Sequence, residues 1–331
     1  MTQRTNTAFL KTVQRWRKRS TPTLLLTCCL PLLACSEPAA PPAAVTPTVE
    51  VLSQGLHHPW SLAFLADGSL LISERRGTLQ HFNPANATLH PVLGVPPVAA
   101  GGQGGLFDVR LHPKDSSLIY LVYAKHCTSS ERTVAISRAR WQQQQLVELK
   151  EIFVANACGS KGQHFGGRIA FDNHGHLYLG IGDRGERERA ENPADHAGTV
   201  LRLKDDGSIP ADNPFVGDSP FDDAIFSYGP RTPQGMIFHP PHQESWLHEH
   251  GPRGGDENNR LLAGSNYGWP AVTYGREYFG PKIGVTEKDG TEPPLKPWTL
   301  PSPIPVSLIT KVMLSLTGKI VCWWGLWRGS M

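Results

Sequence analysis

Two polar side chains of the 331-residue chain stand in glycine-rich segments that can present them to a ligand. His164 lies in "GQHFGGR", and Asp183 lies in "GIGDRGER", one predicted strand pair later. A lone histidine is more often structural than catalytic, and "GDRG" by itself is compatible with a simple turn. Together, however, they offer a proton acceptor and an orienting carboxylate, the arrangement that a general base requires.

Two further residues are candidates for contact with a bound molecule. Arg231 lies between two prolines in "SYGPRTPQG", so its backbone is restricted. Its guanidinium can either pair with a surface carboxylate or stabilise a developing negative charge. Gln103 lies among four glycines in "GGQGGLFDV". A tight turn is the simpler interpretation, but the amide would also stand beside a backbone that can approach a ligand closely.

An oxygen-rich stretch, "EHGPRGGDENN" at 249–259, is too polar for a core and too rich in Gly and Pro for a helix, so it predicts a loop. Glu257 belongs to it, and Tyr267 follows in "GSNYGWPAVTYG". Carboxylates and exposed carbonyls are the hard ligands that Ca²⁺ prefers. The alternative is a solvated acidic loop. The sequence has no Cys/His spacing typical of a zinc site.

Four related segments must position these residues. Each is an apolar strand, a polar turn and a second apolar strand, and Phe64, Leu111, Phe171 and Phe238 are equivalent positions. The period of about 45 to 70 residues is that of a β-propeller blade with variable loops. A β-sandwich is the alternative, but it does not predict a recurring turn at this spacing.

Helical periodicity is confined to a possible short turn near "QQQQLVELKEI" at 142–152, so the sequence predicts an all-β fold. Residues 49–303 have room for four or five blades. Cys127 and Cys158 bracket two predicted strands and a turn. In an oxidising compartment they can close the base of that hairpin with a disulfide, although two unpaired thiols fit the spacing equally well.

The amino terminus predicts export. Six basic residues in the first nineteen precede an apolar run too short to span a bilayer, so residues 1–35 read as a signal peptide. The run ends in a segment that resembles a bacterial lipobox, which implies lipidation of Cys35 and tethering to the outer membrane. Simple cleavage to a secreted product is the alternative. The Pro/Ala-rich residues 36–48 read as a tether. The formal net charge is only +3, and because the signal holds six basic residues and no acidic one, the remainder of the chain is near neutral. Nucleic acid is therefore not an expected partner.

The carboxy-terminal residues 304–331 differ from the rest of the chain. They have no acidic group and no blade pattern, and three tryptophans cluster just after Cys322. Lys311 and Lys319 interrupt the apolar run and argue against a transmembrane span. We interpret this tail as aberrant, as a frameshift would produce, with the last blade or blades of the propeller absent.

Seven motifs together resemble the soluble pyrroloquinoline quinone (PQQ)-dependent aldose sugar dehydrogenases, the glucose/sorbosone dehydrogenase family. They occur in family order across about residues 50–300 and are "GLHHPWSLAFLADGSLLISERRGTL", "GQGGLFDVRLHP", "HFGGRIAFDNHGHLYLGIGDRG", "GTVLRLKDDGSIPADNPF", "SYGPRTPQGM", "EHGPRGGDENN" and "NYGWPAVTYG". The resemblance implies a six-bladed propeller that binds PQQ and Ca²⁺ on its axis.

The resemblance also implies residue roles. His164 would take the proton of the sugar C1 hydroxyl while hydride passes to the quinone, Asp183 would orient His164, and Arg231 would stabilise charge on the reducing quinone. Gln103, Arg231 and Thr232 would contact PQQ. Thr232 stands where the family usually has asparagine, so that contact falls to a shorter hydroxyl.

The resemblance implies two alternative calcium sites, and the sequence does not decide between them. Gly251 and Pro252 match positions whose carbonyls hold Ca²⁺ beside PQQ in some members of the family. Glu257 and Tyr267 match a calcium site in others. Both pairs lie in or just after the oxygen-rich stretch at 249–259.

The expected function is therefore oxidation of aldose sugars to lactones, with an external electron acceptor. No equivalent of the family's later PQQ-gripping basic residues is recognisable after Pro303. Their loss would leave the polypeptide inactive, because each charge-assisted hydrogen bond contributes about 1.5 to 3 kcal/mol. Two alternatives remain: a non-catalytic calcium- or sugar-binding propeller remnant, and a calcium-dependent propeller lactone hydrolase.

Overall fold

The computed structural model describes residues 50–298, 311–314 and 320–323. The predicted signal peptide (1–35) and tether (36–48) lie outside the described residues. Most of the predicted aberrant tail (304–331) does so as well. Within the described ranges no helix combines the length and apolarity that a bilayer crossing requires.

Four antiparallel sheets of four strands account for residues 59–298. The first contains β1 (Pro59–Phe64), β2 (Leu70–Glu74), β3 (Thr78–Asn83) and β4 (Thr88–Pro91). The second contains β5 (Leu106–His112), β6 (Asp115–His126), β7 (Arg132–Gln142) and β8 (Gln145–Val154). The third contains β9 (Arg168–Phe171), β10 (Leu177–Ile181), β11 (Thr199–Leu203) and β12 (Ile225–Tyr228). The fourth contains β13 (Pro233–His239), β14 (Glu244–Glu249), β15 (Asp256–Leu261) and β16 (Lys296–Trp298).

Each sheet is a meander whose strands follow one another in chain order. The first strands of successive sheets pack against one another, β1 on β5, β5 on β9 and β9 on β13. This arrangement places the first strands around a common axis, as in a β-propeller, and not in the two facing layers of a sandwich. The all-β propeller prediction is confirmed, and the four sequence repeats are the first two strands of the four blades.

Two strands of the tail, β17 (Lys311–Leu314) and β18 (Ile320–Trp323), pair with each other in a separate antiparallel ladder. The described residues thus contain four complete four-stranded blades. The six-bladed count, which came from the family resemblance, stays a prediction.

The predicted helical turn at 142–152 is wrong. β7 and β8 form a hairpin there, and its two-residue turn consists of Gln143 and Gln144, with φ of 49° and 60°. Positive φ at both central residues is the turn geometry that matches strand twist. The described residues contain one helix, the short 3₁₀ segment Arg187–Glu191.

Of the two possibilities that the sequence leaves for Cys127 and Cys158, the structure contains the disulfide. Cys127 follows β6 and Cys158 follows β8, and their Cα atoms are 6.2 Å apart, within the range that a bridge requires. Beside the bridge, the backbones of Arg132 and Gly159 exchange two hydrogen bonds of 3.0 Å. The disulfide therefore closes the base of the β7 to β8 hairpin.

Between the blades the core is apolar, but its axial end contains a buried ion pair. Nη1 of Arg168 in β9 lies 2.8 Å from Oδ1 of Asp108 in β5, and neither side chain is more than 5% exposed. Ser61 in β1 donates to the same carboxylate, and Arg168 Nε donates to the carbonyl of Gln234 in β13 at 3.1 Å. One ion pair thus connects the first strands of all four blades.

The charge of Asp108 is stabilised despite its burial. Burial is the largest influence and favours the neutral acid, but the charges of Arg110 and Arg168, with hydrogen bonds from Ser61 and the Ile169 backbone, hold the pKa of Asp108 below its usual value. Trp60 covers the pair, with its ring centre 4.2 Å from the Arg168 guanidinium carbon. Loss of either partner would leave a buried, uncompensated charge.

We therefore expect Asp108→Asn to lower the free energy of unfolding by about 3 to 5 kcal/mol, as measured by chemical denaturation. The control is Glu148→Gln, which removes an exposed ion pair with Arg140. That change should cost at most about 1 kcal/mol. Equal effects of the two substitutions would contradict the assigned role of Asp108.

Candidate active site

The hairpin register brings His164 and Asp183 together. Arg168 at the start of β9 pairs with Gly180 near the end of β10, so the residues just before β9 face those just after β10. His164 Nδ1 lies 2.6 Å from Asp183 Oδ1. The Asp183 carboxylate is only 2% exposed, whereas the His164 ring is 14% exposed. The histidine predicted as the base therefore has its orienting carboxylate at Nδ1, and its ring remains partly exposed.

The backbone around His164 is closely packed and strained. His164 has φ of 51°, in the left-handed region that non-glycine residues seldom adopt. Its N–H donates to Gln103 Oε1 at 2.7 Å, so a residue of the preceding blade holds this conformation. A Cβ on Gly182 would lie 2.3 Å from the His164 carbonyl oxygen and 3.0 Å from that of Arg231. Glycine at 182 is therefore required for the three chain segments to meet.

Arg231 approaches the other side of the imidazole. Its Nη2 lies 3.3 Å from His164 Nε2, and its Nη1 donates to the carbonyls of His250 and Gly251 at 3.0 and 2.8 Å. An arginine has no acceptor, so Nε2 must be the unprotonated nitrogen in this contact. His164 is thus the tautomer with its proton on Nδ1, directed at Asp183.

The electrostatics favour a neutral imidazole. Burial is the main cause that lowers the pKa of His164, and the charge of Arg231 lowers it further, while the Asp183 hydrogen bond opposes them. Burial raises the pKa of Asp183, but the hydrogen bonds from His164 and the Gly185 N–H outweigh it, so the net shift is downward. The pair is therefore a neutral histidine beside a carboxylate, and Nε2 can accept a proton.

Two buried polar atoms near Arg231 have no protein partner among the described residues. They are Nε of Arg231 itself and Oγ1 of Thr232. Both residues are less than 9% exposed. Burial of an unpaired donor costs free energy, so such atoms indicate a missing ligand or water. Thr232, predicted as a cofactor contact, is thus available for one.

A pair of buried carboxylates lies behind Arg231. Glu249 at the end of β14 is directly opposite Glu257 in β15, so their side chains share one face of the sheet. Glu249 accepts hydrogen bonds from the Arg231 N–H and the Asn259 amide. Burial raises the pKa of Glu249, and burial together with the Glu249 charge raises the pKa of Glu257. Two such carboxylates must share a proton or a cation.

The carboxylates border a small cavity that includes most of the predicted metal ligands. Six of its lining residues are Arg231, Glu249, Gly251, Glu257, Tyr267 and Trp269. The Tyr267 hydroxyl is already used, because it donates to the Arg260 carbonyl and accepts from the Leu262 N–H at 3.0 Å. Its backbone carbonyl is the group left for a cation. Pro252 is buried against Gly275.

No cluster of three or more His, Cys, Asp or Glu side chains in the described part of the chain is arranged to hold a metal. A cation here would therefore need backbone carbonyls as well as the two carboxylates, which is usual for Ca²⁺. The assignment of Gly251, Pro252, Glu257 and Tyr267 as ligands stays a prediction.

Sequence reasoning missed two residues of the site, Glu249 and Trp269. Glu249 stands at the start of the oxygen-rich stretch at 249–259, which was predicted to be a loop; that prediction is wrong for Glu249 and for 256–259, which belong to β14 and β15 and bring Glu249 opposite Glu257. Trp269 donates its indole N–H to Asp183 Oδ2 at 2.8 Å from 86 residues away, and no local pattern announces that contact.

Comparisons with known proteins place the chain among sugar dehydrogenases by similarity. The glucose / sorbosone dehydrogenase family matches residues 56–318. The chain is 40% identical over 274 residues to aldose sugar dehydrogenase YliI of Escherichia coli K12, covering 80% of this chain and 74% of that protein.

The fold of the chain is also similar to that of solved structures. A crystal structure of a glucose dehydrogenase superposes with a TM-score of 0.74 at 41% identity, covering 77% of this chain and 76% of the other. The PQQ-bound aldose sugar dehydrogenase of Streptomyces coelicolor gives a TM-score of 0.64 at 28% identity, covering 78% and 74%. The chain belongs to the glucose/sorbosone dehydrogenase family.

The environment of His164 makes a pH-dependent prediction. In the wild-type chain its imidazole should titrate below the ordinary pKa of 6.5, because burial and Arg231 disfavour the cation. Arg231→Gln should raise the pKa of His164, and Asp183→Asn should lower it further, as followed by NMR of the ring protons. The exposed His126 is the internal control and should give the same spectra in all three chains. Shifts in the opposite directions would refute the assigned geometry.

Proposed function

We propose that this chain is a PQQ-dependent aldose dehydrogenase that oxidises the C1 hydroxyl of sugars to the lactone, with His164 as the general base. The observation that carries the proposal is the His164 and Asp183 pair, a neutral imidazole whose unprotonated Nε2 accepts from the Arg231 guanidinium until a substrate hydroxyl replaces that donor. Membership of a family of sugar dehydrogenases supports the reaction class. An external electron acceptor would reoxidise the cofactor.

The residues at the site fit PQQ, which carries carboxylates and quinone oxygens. Arg231 Nε and Thr232 Oγ1 are buried donors that lack a protein partner among the described residues. Gln103 uses its oxygen on the His164 backbone, so its amide nitrogen can donate to a ligand. The PQQ-bound relative supports the same cofactor for this chain. When bound, PQQ would supply the two-electron hydride acceptor.

The protein residues would carry the proton chemistry. His164 Nε2 takes the proton of the C1 hydroxyl, and general base catalysis of this kind contributes about 10² to 10⁴-fold. Asp183 accepts from Nδ1 and stabilises the imidazolium that forms. Arg231, with its positive charge beside Nε2, disfavours protonation of the resting base and stabilises negative charge in the same space.

We also propose that Ca²⁺ occupies the cavity between Glu249 and Glu257, with the Tyr267 carbonyl as a further ligand. Burial raises the pKa of both carboxylates, and the charge of Glu249 raises that of Glu257 further, so a cation between them would offset their repulsion. The carbonyl of Gly251 already accepts from Arg231, so a Gly251 and Pro252 site would have to share it. A calcium site between Glu249 and Glu257 therefore fits this chain better than a site at the Gly251 and Pro252 carbonyls.

Export as a lipoprotein, tethered to the outer membrane through Cys35, remains part of the proposal. The disulfide between Cys127 and Cys158 supports an oxidising compartment, because such bonds persist outside the reducing cytosol.

The activity is tested by reconstituting the full chain with PQQ and Ca²⁺ and following glucose-dependent dye reduction. The proposed activity requires turnover even though no PQQ-gripping basic residues are recognisable after Pro303. It also requires that His164→Asn lower kcat by about 10² or more while His126→Asn leaves kcat unchanged. Absence of dye reduction would favour the non-catalytic remnant. Hydrolysis of lactones without any dye reduction would favour the hydrolase.

Calcium binding is tested by calorimetry on the chain without PQQ. Glu257→Gln and Glu249→Gln should each weaken the affinity for Ca²⁺ at least about tenfold, whereas the exposed Glu287→Gln should not. Since both buried carboxylates have raised pKa values, binding should release protons and weaken as the pH falls. Proton-independent binding that survives both substitutions would place the cation elsewhere.

A further inference from the structure

We propose that Trp269 is a positioning residue for the general base, acting on both groups that flank His164. This inference rests on the proposed role of His164. Trp269 is 5% exposed and borders the cavity of the site. It does not touch the imidazole in any described contact, so its action would pass through Asp183 and Arg231.

The indole N–H fixes the plane of the Asp183 carboxylate. Trp269 Nε1 donates to Oδ2 at 2.8 Å, while Oδ1 accepts from His164 Nδ1 at 2.6 Å and from the Gly185 N–H at 2.7 Å. Without a donor on Oδ2, only one oxygen of the carboxylate would be held, and the group could rotate about its terminal bond. With the indole donor on Oδ2, the carboxylate is held so that Oδ1 faces His164.

The indole ring contacts the second neighbour of the base. The guanidinium carbon of Arg231 lies 5.4 Å from the Trp269 ring centre, and that of Arg187 lies 5.5 Å away. Cations at this distance are attracted to an aromatic face. Since Arg231 Nη2 is 3.3 Å from His164 Nε2, one aromatic side chain thus supports the groups on both ring nitrogens of the histidine.

Trp269 is itself anchored outside the site. Its backbone N–H donates to the Gly229 carbonyl at 2.9 Å, and its ring packs with the buried Ala190 and Ile283. Arg187 is paired with Glu277 at 2.8 Å. These contacts hold the indole in place, so it can set the positions of Asp183 and Arg231. A residue that only filled the core would not need to contact either group.

The test uses Trp269→Phe, which keeps an aromatic ring and removes the N–H. The matched control is Trp246→Phe, because Trp246 Nε1 also donates to a carboxylate, that of Glu244 at 3.3 Å, on the surface of β14. In the full chain without cofactor, NMR should show a downfield Nδ1 proton of His164 in the wild type and the control. We expect that resonance to be lost in Trp269→Phe, and an unchanged resonance would overturn the proposal.

Kinetics separate this proposal from the function on which it rests. With PQQ and Ca²⁺, Trp269→Phe should lower kcat about tenfold with little change in the KM for sugar, since a misplaced base weakens the chemical step and not sugar binding. An equal loss in both variants, or a change in KM alone, would contradict a positioning role. If the wild-type chain shows no turnover, the proposed activity fails, and the His164 resonance still decides the role of Trp269.

A second measurement covers the case in which Trp269→Phe does not fold. The indole N–H resonance of Trp269 is then compared between the wild-type and His164→Gln chains. Coupling through Asp183 predicts that the resonance shifts, although the two side chains do not touch in any described contact. An identical resonance in the two chains would reduce Trp269 to a core residue.

Discussion

The ion pair between Asp108 and Arg168 is the constraint on which the arrangement of the blades depends. Each blade is an independent meander, and apolar packing between sheets is not directional. The pair adds direction, because its hydrogen bonds reach Ser61 in the first blade and Gln234 in the fourth. Arg168 is also four residues from His164. The interaction that sets the relative position of the inner strands therefore also limits the position of the His164 backbone.

The site forms where loops from three blades meet at the ends of those inner strands. Gln103 comes from the second blade, His164 and Asp183 from the third, and Arg231 enters the fourth. The imidazole lies between the Asp183 carboxylate at Nδ1 and the Arg231 guanidinium at Nε2. The positions of these side chains are fixed only when the blades assemble, because no single hairpin contains all of them.

Sequence reasoning predicted the strand repeats and the pairing of His164 with Asp183, because each depends on local pattern or hairpin register. It left the disulfide open, because spacing alone does not give the Cα separation. It failed at 142–152, where polar glutamines suggested a helix, although a two-residue turn with positive φ joins two strands. It also missed Glu249 and Trp269. Their contacts depend on which face of β14 is buried and on a link across 86 residues, and neither is encoded in a short window.

The close approach of three chain segments at Gly182 limits how the family can diversify. Any side chain there would overlap the backbone oxygen of His164, 2.3 Å from the added carbon. Substitution at Gly182 would therefore displace the backbone of His164 or Arg231. Tyr278 and Phe279, which follow the Arg187 partner Glu277, are 56% and 95% exposed, so their side chains meet no such overlap. Tolerance to substitution thus differs between the closely packed backbone around His164 and the exposed residues beside the site.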